Sequence, residues 1–388
     1  MDKSRRQFLE MSGAAAAALG LPLPHAEAQP QPAGASSTSS VYLAGDGIGL
    51  QPAEYAGELA RLCAASALTP DEYGLGGIVA DAEVFFAKLL GKERAVFMPT
   101  GTLANHLAIR ALAGDRRRII VQDVSHVYND TGDGCQALSS LTLLPLAPER
   151  ATFTWAEVER VLSRTASGRV ATAVGAISIE SPVRRRAGEL FDRAEMEAIC
   201  TEARRRGIRS HLDGARLFIA SAYTEISPAE YAAPFDTVYV SLWKCFNSQN
   251  GAILAGPASV LDGLFHVRRM FGGALWNAWP FALIAKRYAE GFVERLTSAV
   301  TVSEAFMREV AGPRINIERV PNGSNIFRLI VNGRPPDALR DRLRAASIVL
   351  PPPVMGPDGA VFVLQVNESW NRTTGARLAE AFNRAMAG

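Results

Sequence analysis

The chain has 388 residues, 48% of them hydrophobic, and a formal net charge of +2. That apolar content excludes a disordered chain, and the length exceeds what one core fills, so a large domain with a smaller second one is expected. A charge this close to balance argues against nucleic acid as a partner; the triple-arginine runs at 116–118, 184–186 and 204–206 are scattered and read as solvated helix ends or loop faces.

In chain order, Ser4-Arg5-Arg6-Gln7-Phe8-Leu9 precedes a small-residue apolar run from Met11 to Leu23 and then Ala26-Glu27-Ala28. This reads as a twin-arginine export signal over residues 1–28, followed by a Pro, Gln, Ser and Thr-rich linker at 29–40. The apolar run falls short of a bilayer span, so a periplasmic protein with no permanent membrane anchor is expected.

From residue 74 the pattern predicts helices over 82–90 and 103–112 flanking a strand at 94–98. Further strands are expected at 118–122, 170–179, 208–212, 237–242 and 252–255, with helices at 155–162 and 194–206. This alternation predicts an α/β fold with a mostly parallel sheet covered on both faces, over residues 41–300. After a helical stretch at 279–310, strands at 325–331 and 362–366 and helices at 336–346 and 375–387 predict a smaller C-terminal α+β domain, 301–388. The four cysteines, Cys63, Cys135, Cys200 and Cys245, have no metal-ligand spacing, so no metal is expected and they read as buried free thiols.

Ligands of open α/β sheets bind beyond the carboxyl ends of the strands, so polar residues just after strand signals are the candidates. Strand 94–98 runs through Thr100-Gly101-Thr102 into a helix, which is either a phosphate cradle or an ordinary N-cap and turn. Strand 208–212 ends in His211-Leu212-Asp213-Gly214-Ala215-Arg216, which reads as a structural ion pair or as a carboxylate and guanidinium poised on a ligand. Strand 237–242 delivers Trp243-Lys244. A strand-end lysine ordinarily snorkels to solvent, but apolar flanks on both sides point to a partly desolvated amine with the lowered pKa a Schiff-base lysine needs.

Together these segments resemble the threonine aldolase / beta-eliminating lyase family. The resemblance rests on Tyr73-Gly74, on Phe97-Met98-Pro99-Thr100-Gly101-Thr102-Leu103-Ala104-Asn105, on His126, on the hexapeptide from His211 to Arg216, on Ser241-Leu242-Trp243-Lys244 and on Gly272-Gly273. It implies the aspartate-aminotransferase type of fold (fold type I), pyridoxal 5′-phosphate (PLP) as cofactor, and a homodimer or homotetramer with active sites at the subunit interface. The implied catalytic residues are Lys244, bonded to the cofactor as a Schiff base, Asp213 at its pyridine nitrogen and His126 stacked on its ring. Thr100, Gly101, Thr102 and Arg216 complete the implied cofactor contacts, and Arg216, Tyr73 and Arg372 are the expected contacts of a small amino acid substrate.

The chain also departs from the family. Trp243 replaces the usual serine, and Cys245-Phe246-Asn247-Ser248-Gln249-Asn250-Gly251 replaces a glycine-rich turn. Glu180-Ser181-Pro182 stands for Glu-Asn-Thr, Gly45 for a serine, and Trp276-Asn277 for Arg-Gln; the late strand contains no arginine. The expected reaction is cleavage of a β-hydroxy-α-amino acid to glycine and an aldehyde. The rivals are β-elimination or racemisation with the same cofactor, and a non-catalytic PLP-fold binding protein.

Overall fold

The computed structural model describes residues 40–310, 312–357 and 359–387; the expected export signal, and the linker as far as residue 39, lie outside them. Seven segments form the main sheet: β1 (Arg94–Met98), β2 (Arg118–Gln122), β3 (Thr142–Leu146), β4 (Val174–Glu180), β5 (Arg209–Asp213), β6 (Thr237–Ser241) and β7 (Ala252–Gly256). Their order across the sheet is β1-β7-β6-β5-β4-β2-β3, with β7 antiparallel to both neighbours and every other pair parallel. β4, β6 and β7 are buried along their whole length, as strands between two helix layers must be. Strands β1 to β6 point the same way, so their carboxyl ends share one edge.

β3 is the strand that the periodicity does not reveal. Its Pro145 cannot donate to a ladder and weakens the strand signal, and β3 lies at the sheet edge, where proline is tolerated. The helix Pro52–Ala65 was likewise unexpected; none of its residues is buried, so it carries little core pattern to read. The stretch at 279–310 is two helices, Trp279–Ala289 and Phe292–Val310, parted at Gly291, whose φ of +64° favours glycine.

A second sheet, β8 (Ile315–Arg319), β9 (Ile326–Val331), β10 (Val354–Gly356) and β11 (Gly359–Gln365), has the order β10-β11-β9-β8 and is antiparallel throughout. Burial alternates along β11, so one face packs inward. Helices Phe292–Val310 and Gly375–Ala387 pack together beside it, with Phe306 edge-on to Trp370 and tilted against Phe382. A boundary at residue 300 falls inside the helix Phe292–Val310, and the short strand Val41–Tyr42 pairs with Ile348–Val349. The two lobes share one continuous apolar core.

That core reaches directly under the β6–β7 turn. The segment after Lys244 includes Asn247, Ser248, Gln249 and Asn250 and so reads as a polar turn, yet Cys245, Phe246, Asn247 and Ser248 are all buried. Phe246 is fully covered, and its ring centroid lies 4.9 Å from that of Phe218, 5.3 Å from Phe292 and 5.5 Å from Phe86. Emptying such a site costs about 3–5 kcal/mol, so this ring is a strong anchor two residues from Lys244.

Candidate active site

The shared edge of β1 to β6 opens into a cleft of about 560 Å³, including the solvent at its mouth. Its lining brings together Thr100, Gly101, Thr102, His126, Asp213, Arg216 and Lys244 from the sequence reading, with Asn105, Glu180, Arg184, Tyr239 and Trp243 beside them. Thr100 caps the helix Gly101–Ala113, accepting from the Leu103 amide at 3.1 Å. A methyl group on Gly101 would come within 1.9 Å of the Tyr239 hydroxyl, so the close approach of this helix to β6 requires glycine there.

Asp213 ends β5 and is buried. Its Oδ2 accepts from Asn105 Nδ2 at 2.6 Å and its Oδ1 from the Ala215 amide at 3.2 Å. With the Asn105 amide nitrogen committed to Asp213, Asn105 Oδ1 must accept, so His211 donates from Nε2 across 2.9 Å and its Nδ1 accepts from Thr237 Oγ1 at 2.8 Å. Burial pushes His211 down to about 4, which keeps it neutral and consistent with that chain of bonds. Asn105 closes the family-like segment 97–105, but its bonds to Asp213 and His211 had no signal in the sequence.

Lys244 follows β6. Burial, and then the nearby Arg216 guanidinium, lower its amine to about 8 from the ordinary 10.5. Its Nζ lies 5.4 Å from the centroid of the Trp243 ring, which is 51% exposed at the cleft mouth. Arg216 donates from Nε to Asp46 Oδ2 at 2.9 Å; burial works against its charge, and Asp46 holds it charged nonetheless. Asp46 was not singled out from sequence because it lies in a loop far from any strand end of the main sheet.

His126 opens a single helical turn, His126–Asn129, after β2. Burial lowers its pKa, partly offset by the Asp213 charge, and its Nδ1 is buried without a partner. Glu180 ends β4 and accepts from the backbone amides of His126 at 2.6 Å and Arg184 at 2.9 Å. Burial, and then the adjacent Asp213 charge, push its carboxyl well above the usual range. Arg184 is half-buried, pairs with Asp130 at 2.5 Å and lines the cleft, whereas Arg186 of the same run is exposed as expected.

Tyr73 and Arg372 do not line this cleft within the chain. Tyr73 sits at the surface with φ +52°, its ring 4.9 Å from and edge-on to Trp276. Arg372 donates to the Ser40 carbonyl at 2.6 Å, and burial lowers its pKa. Cys135, Cys200 and Cys245 are buried free thiols as expected, but Cys63 is exposed, because its helix buries none of its residues. Among the described residues no group of three His, Cys, Asp or Glu side chains could hold a metal ion. No described helix is long and apolar enough to cross a membrane.

The lowered amine has a direct readout, because only the neutral amine attacks a carbonyl. Reductive modification of Lys244 by a small aldehyde, followed by peptide mass spectrometry, should accelerate with pH up to about 8 and then level off. A rate that keeps climbing toward 10.5 would mean that the amine is not desolvated as described.

Comparison with known proteins agrees with this geometry. The sequence pattern described as beta-eliminating lyase matches residues 57–331. A probable low-specificity L-threonine aldolase of Schizosaccharomyces pombe is 30% identical over 194 residues, covering 50% of this chain and 51% of that protein. The chain thus spans about half the length of the curated relatives it matches. A solved structure from Listeria monocytogenes, described as a candidate L-allo-threonine aldolase, is 28% identical with a TM-score of 0.72, covering 90% of this chain and 96% of that one. The serine palmitoyltransferase of Sphingomonas wittichii shares the fold alone, at 15% identity and a TM-score of 0.66 over 99% of this chain and 98% of its own. The fold is that of the PLP-dependent fold type I enzymes, and the chain belongs to the beta-eliminating lyase family.

Proposed function

We propose that the protein is a PLP-dependent carbon–carbon lyase that cleaves a threonine-like β-hydroxy-α-amino acid to glycine and an aldehyde. The observation that carries this reading is the convergence on one cleft of a desolvated lysine amine, a buried carboxylate and a histidine whose Nδ1 has no partner. These groups suit the cofactor: Lys244 would hold it covalently, Asp213 would face its ring nitrogen, His126 would cover its ring, and Thr100 to Thr102 at the helix N-terminus would take its phosphate. When bound, the cofactor supplies an electron-accepting ring that takes up the electron pair released when the Cα–Cβ bond breaks.

The chain's own residues supply the remaining steps. Arg216, held charged by Asp46, offers a guanidinium to the substrate carboxylate. His126, its pKa lowered by burial, accepts the proton of the β-hydroxyl directly or through water, which turns the carbinol into the departing aldehyde. Asn105 and the Ala215 amide hold the Asp213 carboxylate in one orientation throughout.

The interface expected from the resemblance gives Tyr73 a place. It lies with Leu75, Met270 and Trp276 among the large apolar side chains left exposed, so in a homodimer this surface would be covered and Tyr73 could serve the neighbouring cleft. The paired Arg5 and Arg6 favour periplasmic export, although they lie outside the described residues.

The PLP-loaded protein, supplied with threonine, allothreonine and phenylserine, should release glycine and the matching aldehyde from at least one. Ammonia and a keto acid would instead indicate elimination, and inversion at Cα alone, which converts threonine to allothreonine of the opposite Cα configuration, would indicate racemisation. His126→Phe should lower aldehyde release by about 10²- to 10⁴-fold while leaving cofactor uptake in place. Sedimentation equilibrium should give a dimer or tetramer; a monomer at micromolar concentration would remove the role proposed for Tyr73. Replacing Arg5 and Arg6 with lysines should retain the protein in the cytoplasm, and continued appearance in the periplasm would rule out the twin-arginine route.

A further inference from the structure

We infer that Glu180 is the positioning residue of the site, a carboxylate that ties the His126 turn to the Arg184 turn across the cleft and acts on the reaction through His126. The inference deepens the lyase reading and rests on it for its catalytic part only.

The geometry begins behind Glu180. The β2–β4 register runs to Ile120 opposite Ile177, and beyond it the Gln122 side chain spans the gap between the strands. Gln122 Oε1 accepts from the Glu180 amide at 2.6 Å, and its Nε2 donates to the Glu180 carbonyl at 2.9 Å and to the Ala151 carbonyl at 2.8 Å. The backbone of Glu180 is therefore held on both its polar groups by one buried side chain.

The carboxylate then reaches forward. Oε2 accepts from the His126 amide and Oε1 from the Arg184 amide, so both oxygens are occupied by backbone donors. The His126 turn needs this acceptor. Its preceding residue, Ser125, makes no side-chain cap and instead donates its hydroxyl to the Gln122 carbonyl at 2.7 Å. Without Glu180 the first amide of that turn would lose its partner, and with it the backbone that aims the His126 ring.

The energetics favour a functional reason for this arrangement. Glu180 stands opposite Asp213 in the β4–β5 register, so the fold buries two carboxylates side by side. A neutral side chain there would avoid that repulsion at no cost to the sheet, since the strand pairing uses only backbone groups. What a neutral amide cannot do is accept from two backbone N–H groups with two equivalent oxygens. Each Glu180 oxygen already accepts one backbone N–H bond, which fixes the carboxyl group in place.

The test uses Glu180→Gln, which keeps the shape and one acceptor. In the apo protein above pH 8, where Glu180 with its pKa raised to about 7 is ionised, hydrogen exchange should quicken by about ten- to hundredfold in the segments containing His126 and Arg184, the loss expected for one charge-assisted bond, with β4 and β5 unchanged. In the PLP-loaded enzyme, kcat should fall while cofactor affinity stays within about threefold, and His126→Phe/Glu180→Gln should be no slower than His126→Phe alone. Unchanged exchange at both segments, or exchange quickened across the whole sheet, would overturn the positioning role, as would additive losses in the double variant. Should Glu180→Gln fail to fold, Glu180→Asp, with the charge kept and the arm shortened, carries the same expectations. The exchange result stands even if the protein cleaves none of the amino acids offered, so it separates this inference from the lyase reading.

Discussion

Lys244 extends its amine into a crevice where burial strips away water and the Arg216 guanidinium adds like charge, and the two effects lower its pKa to about 8. A flexible lysine would relax toward solvent and recover its hydration, so the surrounding chain must prevent that. Phe246 does so from below, packed among Phe86, Phe218 and Phe292. Asp46 pairs with Arg216, which lets cation and amine share one cleft. The site thus depends on core packing at the β6–β7 turn as much as on the polar groups that line it.

The same edge gathers charges that would be unfavourable elsewhere. Asp213, Glu180, Arg216 and Lys244 lie at neighbouring strand ends, and each is held by a specific partner or backbone donor: Asn105 for Asp213, two amides for Glu180, Asp46 for Arg216. Parallel strands make this possible, because every strand of β1 to β6 ends at the same edge and can contribute one side chain. Pairs of titratable groups whose surroundings push their pKa values in opposite directions, such as Glu180 raised and Lys244 lowered, are characteristic of catalytic clefts.

Much of this was legible in the sequence because it is written locally. β1 and β2 have the bounds that their apolar runs predict, and Thr100, Asp213 and Lys244 stand out by following strands. Asn105 and Glu180 fall in segments that the resemblance covers, but their roles, like that of Asp46, come from partners 108, 54 and 170 residues away and are not written locally. Tyr73 and Arg372 show the reverse: residues that a family resemblance places at the site but that this chain, taken alone, positions elsewhere. β3 was hidden by Pro145, and the buried turn after Lys244 looked polar because Asn247 and Ser248 are covered by tertiary contacts that no local pattern records.

The central claim is that Lys244 is the residue that binds the cofactor, and borohydride reduction of the PLP-treated protein tests it most directly. Reduction followed by peptide mapping should leave one phosphopyridoxyl group on the peptide containing Lys244, and Lys244→Ala should carry none. Label on other lysines with Lys244 unmodified, or a protein that takes up no cofactor, would contradict the account.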